Sequence, residues 1–359
     1  MDWRRILGYV VRWLLPLALT VLLVAYMFRK VNFADMMELL RHGVDYKWIL
    51  VAMLMSVFSH VFRAARWRIQ LSALGIRPPF MALCCSIFGT YALNLLFPRL
   101  GEVWRCTYIA HREHAPFTEV VGSMVGDRVA DMITVFTLTV ITFLIATPAI
   151  EAFLIKYPVG QGVVGLARNP WFWTGVTGGC VIVWAVLHFG RNYSAVSKTR
   201  RWAGEMWKGF AVVGRMKGKW AFLFWTLAIW ACYYFQLYVA LFSFSFMRDL
   251  CTPELAWGLV PCLVAFILSS IGMAVPSNGG LGPWNLGIIF GLAVYGVSED
   301  AATAFSMLQW SGQTVMLITL GIFTMIYISV TKSGKDATLP DPGKVELRNL
   351  KRNEFQRRR

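Results

Sequence analysis

Residues 98–102 read Pro98-Arg99-Leu100-Gly101-Glu102, and residues 276–283 read Pro276-Ser277-Asn278-Gly279-Gly280-Leu281-Gly282-Pro283. The first stretch follows the apolar run Phe80–Phe97, the second the apolar run Leu255–Val275. Proline cannot continue a helix, and glycine accepts backbone angles that other residues resist. Each stretch therefore breaks a hydrophobic segment, one in each half of the chain. Broken backbone at membrane depth leaves amide and carbonyl groups unpaired, so it persists only when buried in protein or lining a watery cavity. Two such breaks at corresponding places are the sequence pattern of a transporter-like site. The alternative is two ordinary loops rich in proline and glycine.

Composition decides that a membrane is the right setting. The chain has 359 residues, is 57% hydrophobic and has a mean hydropathy of +0.55. Only 15% of it is charged, against about 25% for a soluble domain. Several apolar runs reach about 20 residues, the length that spans a bilayer. No cleavable leader is expected, because the first apolar stretch lacks a small-residue cleavage pattern. The formal charge of +16 is concentrated at span ends. Residues 191–219 hold eight Lys/Arg against Glu205, and the tail from Lys332 holds nine against four acids. That is the positive-inside pattern, which also attracts anionic lipid headgroups, and it argues against a nucleic-acid partner. The seven cysteines and five histidines are scattered, with no CxxC or HExxH spacing. Neither a metal site nor a cofactor is expected from them.

Hydropathy and charge together predict an all-α, polytopic membrane helix bundle. Full spans are expected at about Trp13–Phe28, Trp48–Arg66, Val120–Ala146, Trp171–Phe189, Trp220–Phe246 and Ala301–Val330. Within 191–219, Trp202, Met206, Phe210 and Val213 recur at helical spacing, which suits an amphipathic helix in the membrane interface. Residues 1–331 form the membrane domain, and the charged tail 332–359 with Pro340 and Pro342 is expected to be disordered. If the N-terminus, residues 191–219 and the tail are all cytoplasmic, both broken segments must enter and leave on one face. Phe80–Ala110 then becomes a re-entrant hairpin from the inside and Leu255–Tyr295 one from the outside, as in an inverted repeat. The basic connector Arg29–Lys47 is the one segment that falls on the wrong side.

Ionisable groups inside a membrane are costly, so each is a functional candidate. Ser59, Arg63, Arg66 and Gln70 share one helical face. Arg63 and Arg66 either grip a phosphate or snorkel to the interface. At the first break, Arg99, Glu102 and Arg105 offer an anion site at a restarted helix, with Arg99 and Glu102 able to pair. Asp127 and Asp131 stand four residues apart, and Arg128 can reach Asp131. They form either a site or a packing ion pair with Arg99 or Arg105. The second break is uncharged and offers Ser277, Asn278, Gly279 and Gly280. Gly287 and Gly291 make a GxxxG suited to helix packing, and Trp310, Ser311 and Gln313 add polar groups to the last span.

At these residues the chain resembles the flippase-like family, the transmembrane region of lysylphosphatidylglycerol synthases. The resemblance rests on Arg63-Ala64-Ala65-Arg66-Trp67, on Pro98 to Glu102 with Arg105, on Asp127-Arg128 with Asp131, and on Pro276 to Gly282. It covers about residues 6–331 in order. The family often has Glu-Arg where this chain has Asp127-Arg128, a conservative difference. The large aminoacyl-transfer domain of bifunctional members is not expected here, so lysyl transfer is not implied.

What the resemblance implies is an integral protein of the bacterial inner membrane that moves a lipid; the charge pattern is what puts both termini in the cytoplasm. An anionic headgroup would meet Arg63, Arg66, Arg99 and Arg105, while Glu102, Asp127 and Asp131 orient them or hold a cationic group. Two rival readings stay open. One is an intramembrane enzyme on lipid-linked phosphate, with Asp127 or Asp131 as general base. The other is a non-catalytic partner of an envelope-lipid enzyme, or a homo-oligomer, recruited through the basic loop and tail.

Overall fold

A computed structural model describes residues 43–97, 99–156, 218–275 and 277–336, with isolated positions elsewhere; for 148–156 and 332–336 it describes the backbone only. The described residues are mainly helical, without a strand. Helix α1 spans Tyr46–Ala73, α2 Phe80–Leu96, α3 Leu100–Arg112 and α4 Phe117–Lys156. After the undescribed middle come α5 Lys219–Leu241, α6 Leu259–Gly272, α7 Pro283–Ala293 and α8 Glu299–Asp336.

Local chemistry sets these boundaries. The Asp45 carboxylate accepts from the Lys47 amide at 3.2 Å and caps α1. Gly75, at φ +81°, ends it. Helix α4 kinks at Ala146, two residues before Pro148, whose ring cannot join the helical ladder. Pro283 opens α7, and the Asn285 side chain accepts from the Gly282 amide at 3.1 Å.

Among the described residues, four helices are long and apolar enough to cross a membrane: α1, α4 up to Thr147, α5, and α8 up to Thr331. They correspond to four of the six expected spans. Trp13–Phe28 and almost all of Trp171–Phe189 lie outside the described residues, as does most of the amphipathic stretch 191–219. Helix α8 runs on to Asp336, into the start of the expected tail; residues 337–359 lie outside the described residues. Large apolar side chains point away from the bundle on α4 and α8. Phe136 is 71% exposed, Leu144 77% and Met325 72%, as lipid-facing residues are.

The order of lengths repeats: long, short, short, long in α1–α4, and again in α5–α8. Within the first quartet α2 runs antiparallel to α1, with His60 against Tyr91 and Arg68 over Phe80. Helix α4 does likewise, with Arg63 at Asp131 and Trp67 at Ser123. The second quartet is built the same way. Trp230 packs on Phe266 while Tyr238 reaches the Trp257 carbonyl, and Gln236 meets Gln313 while Phe244 meets Phe305. The two opening helices, α1 and α5, are themselves antiparallel. Asp45 pairs with Ser243 at one end and Arg66 with Thr226 towards the other. The second quartet therefore repeats the first with every helix reversed.

Each quartet has its own apolar core. Trp67, Leu83, Ile87, Ile109 and Val120 pack together in the first, and Leu241, Ile267, Ile288 and Phe305 in the second. Small residues hold each broken pair close. A Cβ at Gly101 would overlap the Thr90 carbonyl, so α3 lies hard against α2. On α7, Gly287 faces the Ser269 backbone and Gly291 that of Ala265, the packing expected of the GxxxG.

Candidate functional site

The backbone of the first break positions its charges. Arg99, at φ +64°, takes the left-handed turn between α2 and α3. The expectation that Gly101 supplies that angle is corrected here: Gly101 is already helical, and is small because Thr90 crowds it. Asn94 on α2 reaches over to accept from the Gly101 amide at 2.9 Å, satisfying one of the free donors of the new helix. This leaves Arg105, one turn into α3, on the buried face beside Cys106 and Ile109.

Arg105 meets Arg63 and Arg66 of α1 and Asp127 and Asp131 of α4 in one buried cluster. Arg66, wholly buried, contacts Asp127 at 2.7 Å through Nη2 and Asp131 at 2.8 Å through Nη1. Arg63 lies 2.7 Å from Asp131 and 3.5 Å from Asp127. Arg105 is only 3.7 Å from Asp127, and its guanidinium sits over the Trp67 ring at 4.6 Å. The snorkelling alternative for Arg63 and Arg66 is therefore excluded, since both are turned inward onto carboxylates.

Among the described residues three guanidinium groups face two carboxylates, which leaves one positive charge of the cluster uncompensated. Burying a net charge is among the costliest arrangements a protein interior can hold. Arg105 is the least paired of the three: among the described residues its Nε and Nη2 both lack a hydrogen-bond partner, where Arg63 and Arg66 each lack one only at Nε, and it is 1% exposed. Such a group is short of an anion.

Two expected pairings are replaced by another. Glu102 does not pair with Arg99, nor Arg128 with Asp131; Arg128 and Glu102 pair with each other, joining α4 to the first turn of α3. The reason is interhelical geometry, which places Asp131 between two α1 arginines and leaves Arg128 facing the break. Arg99 is exposed at the tip and has no ion-pair partner among the described residues.

The second break lies against the first rather than against the arginines. Asn278 Nδ2 reaches the Leu96 carbonyl at 3.5 Å, and a Cβ on Gly279 would meet the Leu95 side chain at 2.7 Å. Gly279, Gly280 and Gly282 all have positive φ. The Gly279 carbonyl accepts from Trp310 Nε1 at 3.0 Å. Ser277 Oγ is buried without a partner among the described residues. Among the described residues, no hydrogen bond joins Ser277–Gly280 to the arginine cluster.

A neutral shell that the sequence does not announce surrounds the cluster. Tyr233 Oη accepts from Arg63 Nη2 at 3.2 Å, and Thr226 Oγ1 from Arg66 Nη1 at 3.4 Å, both from α5. Trp67, which supports Arg105, is anchored to Ser123 Oγ at 3.0 Å. Trp67 was visible as the next residue after Arg66; the α5 contributions carry no local signal.

No curated protein matches the chain. The model of the lysylphosphatidylglycerol synthase TM region matches residues 13–321, which take in both breaks and every member of the buried cluster. The chain therefore belongs to the family of lysylphosphatidylglycerol synthase transmembrane regions.

Proposed function

We propose that this protein is a lipid translocase, not an enzyme, and that it carries an anionic phospholipid or a lipid-linked phosphate across the bacterial inner membrane. The observation that carries the reading is the buried surplus of positive charge, with Arg105 short of an acceptor. A phosphate oxygen is the acceptor that suits it, since guanidinium and phosphate match in charge and fork geometry. The two broken helix pairs, running in opposite senses and touching at their tips, support a reading as re-entrant hairpins from opposite faces. A headgroup would move between them while its acyl chains stay in the bilayer. Both termini lie in the cytoplasm on this reading.

Asp127 and Asp131 then act as positioning groups. Each is already engaged by arginine, so neither is free to abstract a proton from substrate or to hold a cationic headgroup. The test is transport in reconstituted vesicles of acyl-labelled phosphatidylglycerol. The unaltered protein is expected to move it faster than protein-free vesicles do. Arg105→Gln is expected to stop that movement while the protein still elutes and melts as before, because Asp127 keeps Arg63 and Arg66. Equal movement by Arg105→Gln, or none by the unaltered protein, overturns the reading.

A further inference from the structure

The reversed quartets place a second polar group where the symmetry demands a counterpart to the first. Asp127 and Asp131 stand ten and fourteen residues after Phe117, the first residue of α4; Gln309 and Gln313 stand ten and fourteen after Glu299, the first of α8. Arg63 and Arg66 are three apart on α1, as Tyr233 and Gln236 are on α5. The contacts correspond as well. Arg66 meets Asp131 at 2.8 Å, and Gln236 Nε2 donates to Gln313 Oε1 at 3.0 Å. Arg63 and Tyr233, equivalent in this scheme, touch each other at 3.2 Å, as residues flanking a pseudo-twofold axis do.

The second constellation is polar but carries no charge. Gln313 Nε2 donates onward to Ser56 Oγ at 2.7 Å, so the chain Gln236–Gln313–Ser56 is hydrogen-bonded throughout. Gln309, one turn earlier on the same face of α8, is 3% exposed, and its Oε1 has no partner among the described residues. A buried amide oxygen without a donor is as incomplete as Arg105 without an acceptor. Phosphate cannot serve it, since a phosphate oxygen only accepts. An ammonium group donates, but the net positive cluster is near, since Arg63 contacts Tyr233 one turn before Gln236 on α5, and it repels such a group. A hydroxyl group both donates and accepts, and brings no charge.

We propose that Gln236, Gln309, Gln313 and Ser56 form a second headgroup site, which takes the hydroxyl groups of an anionic lipid whose headgroup beyond the phosphate is uncharged and hydroxylated. This rests on the translocase reading and narrows it. Glycerol and sugar-like headgroups share that chemistry; amine headgroups do not.

The purified full-length protein, in detergent, is titrated with phosphatidylglycerol, phosphatidylinositol, phosphatidic acid and phosphatidylethanolamine, and bound lipid is counted by native mass spectrometry. Phosphatidylglycerol or phosphatidylinositol is expected to bind about three- to tenfold tighter than phosphatidic acid, the worth of one net hydrogen bond. Whichever is tighter separates a glycerol from a ring polyol. Phosphatidylethanolamine is expected to bind weakest. Gln236→Leu/Gln313→Leu removes both amides together, and Gln309→Leu removes the orphan oxygen. Each is expected to abolish the advantage over phosphatidic acid while binding of phosphatidic acid stays. Equal binding of hydroxylated lipids and phosphatidic acid, equally tight phosphatidylethanolamine, or an advantage that survives both variants overturns the proposal. An advantage lost in both variants, with no lipid moved in vesicles, leaves this site standing and overturns the translocase reading instead.

Discussion

The indole nitrogen of Trp310 donates to the Gly279 carbonyl across 3.0 Å, tying α8 to the turn between α6 and α7. Arg128 does the same office in the first quartet, where it joins α4 to Glu102 at the start of α3. Both residues stand eleven positions into their helix, counted from Phe117 and Glu299. The closing helix of each quartet thus pins its own break, once through a neutral hydrogen bond and once through an ion pair.

Trp310→Phe keeps the ring and deletes the donor. The Gly279 carbonyl then has no indole partner, at an expected cost of about 1–3 kcal/mol. Glu102→Gln breaks a pair in which Arg128 is partly exposed, and is expected to cost no more than about 1 kcal/mol. Thermal unfolding of the two purified variants checks the order.

Asp127→Asn leaves three buried guanidinium groups with Asp131 as their one remaining carboxylate. The expected loss is about 3–5 kcal/mol, the cost of stranding a buried charge. Asp131→Asn is expected to cost less, because Asp127 still contacts all three arginines and the Asp131 side chain is partly accessible at 12%. Denaturant titration in detergent reads both, and a larger loss for Asp131→Asn would contradict the geometry.

Arg99 offers a separation of charge from backbone. Arg99→Ala is expected to abolish lipid movement in a folded protein. Arg99→Gly removes the same charge but relieves the left-handed angle, so it should melt higher, by about 1 kcal/mol in stability. If either variant moves lipid normally, the exposed tip arginine takes no part in transport.

Two glycines differ in what they protect. Gly75 has positive φ but open space around it, so Gly75→Ala is expected to cost about 1 kcal/mol. Gly101→Ala drives a methyl into the Thr90 carbonyl and forces α3 off α2, at an expected 3 kcal/mol or about that. Yield and melting temperature of the two variants should rank accordingly.

Much of this was legible in the chain itself. The two breaks stand out because proline and glycine punctuate apolar runs, and four long helices follow from hydropathy. That Arg63, Arg66, Arg105, Asp127 and Asp131 are candidates follows from the cost of charge in a membrane, while their service to one headgroup is what the family resemblance implies. The pairing was not legible: Glu102 finds Arg128, and Asp131 finds two α1 arginines, because interhelical distances leave no local signature. Arg99 shows the same limit, since the left-handed turn falls on the arginine although a glycine stands two residues on. The Gln236–Gln313 pair lay hidden for another reason. Its kinship with the arginines is positional, and the side chains have different chemistry.

A backbone that looks alike from either end has no vectorial character of its own. The reversed quartets make α1–α4 and α5–α8 interchangeable as scaffolding, so whatever direction these eight helices have resides in the side chains that break the likeness. Those are few: arginines and aspartates on one side of the Arg63–Tyr233 contact, glutamines on the other. Exchanging the two sets would turn the polarity of the eight helices around.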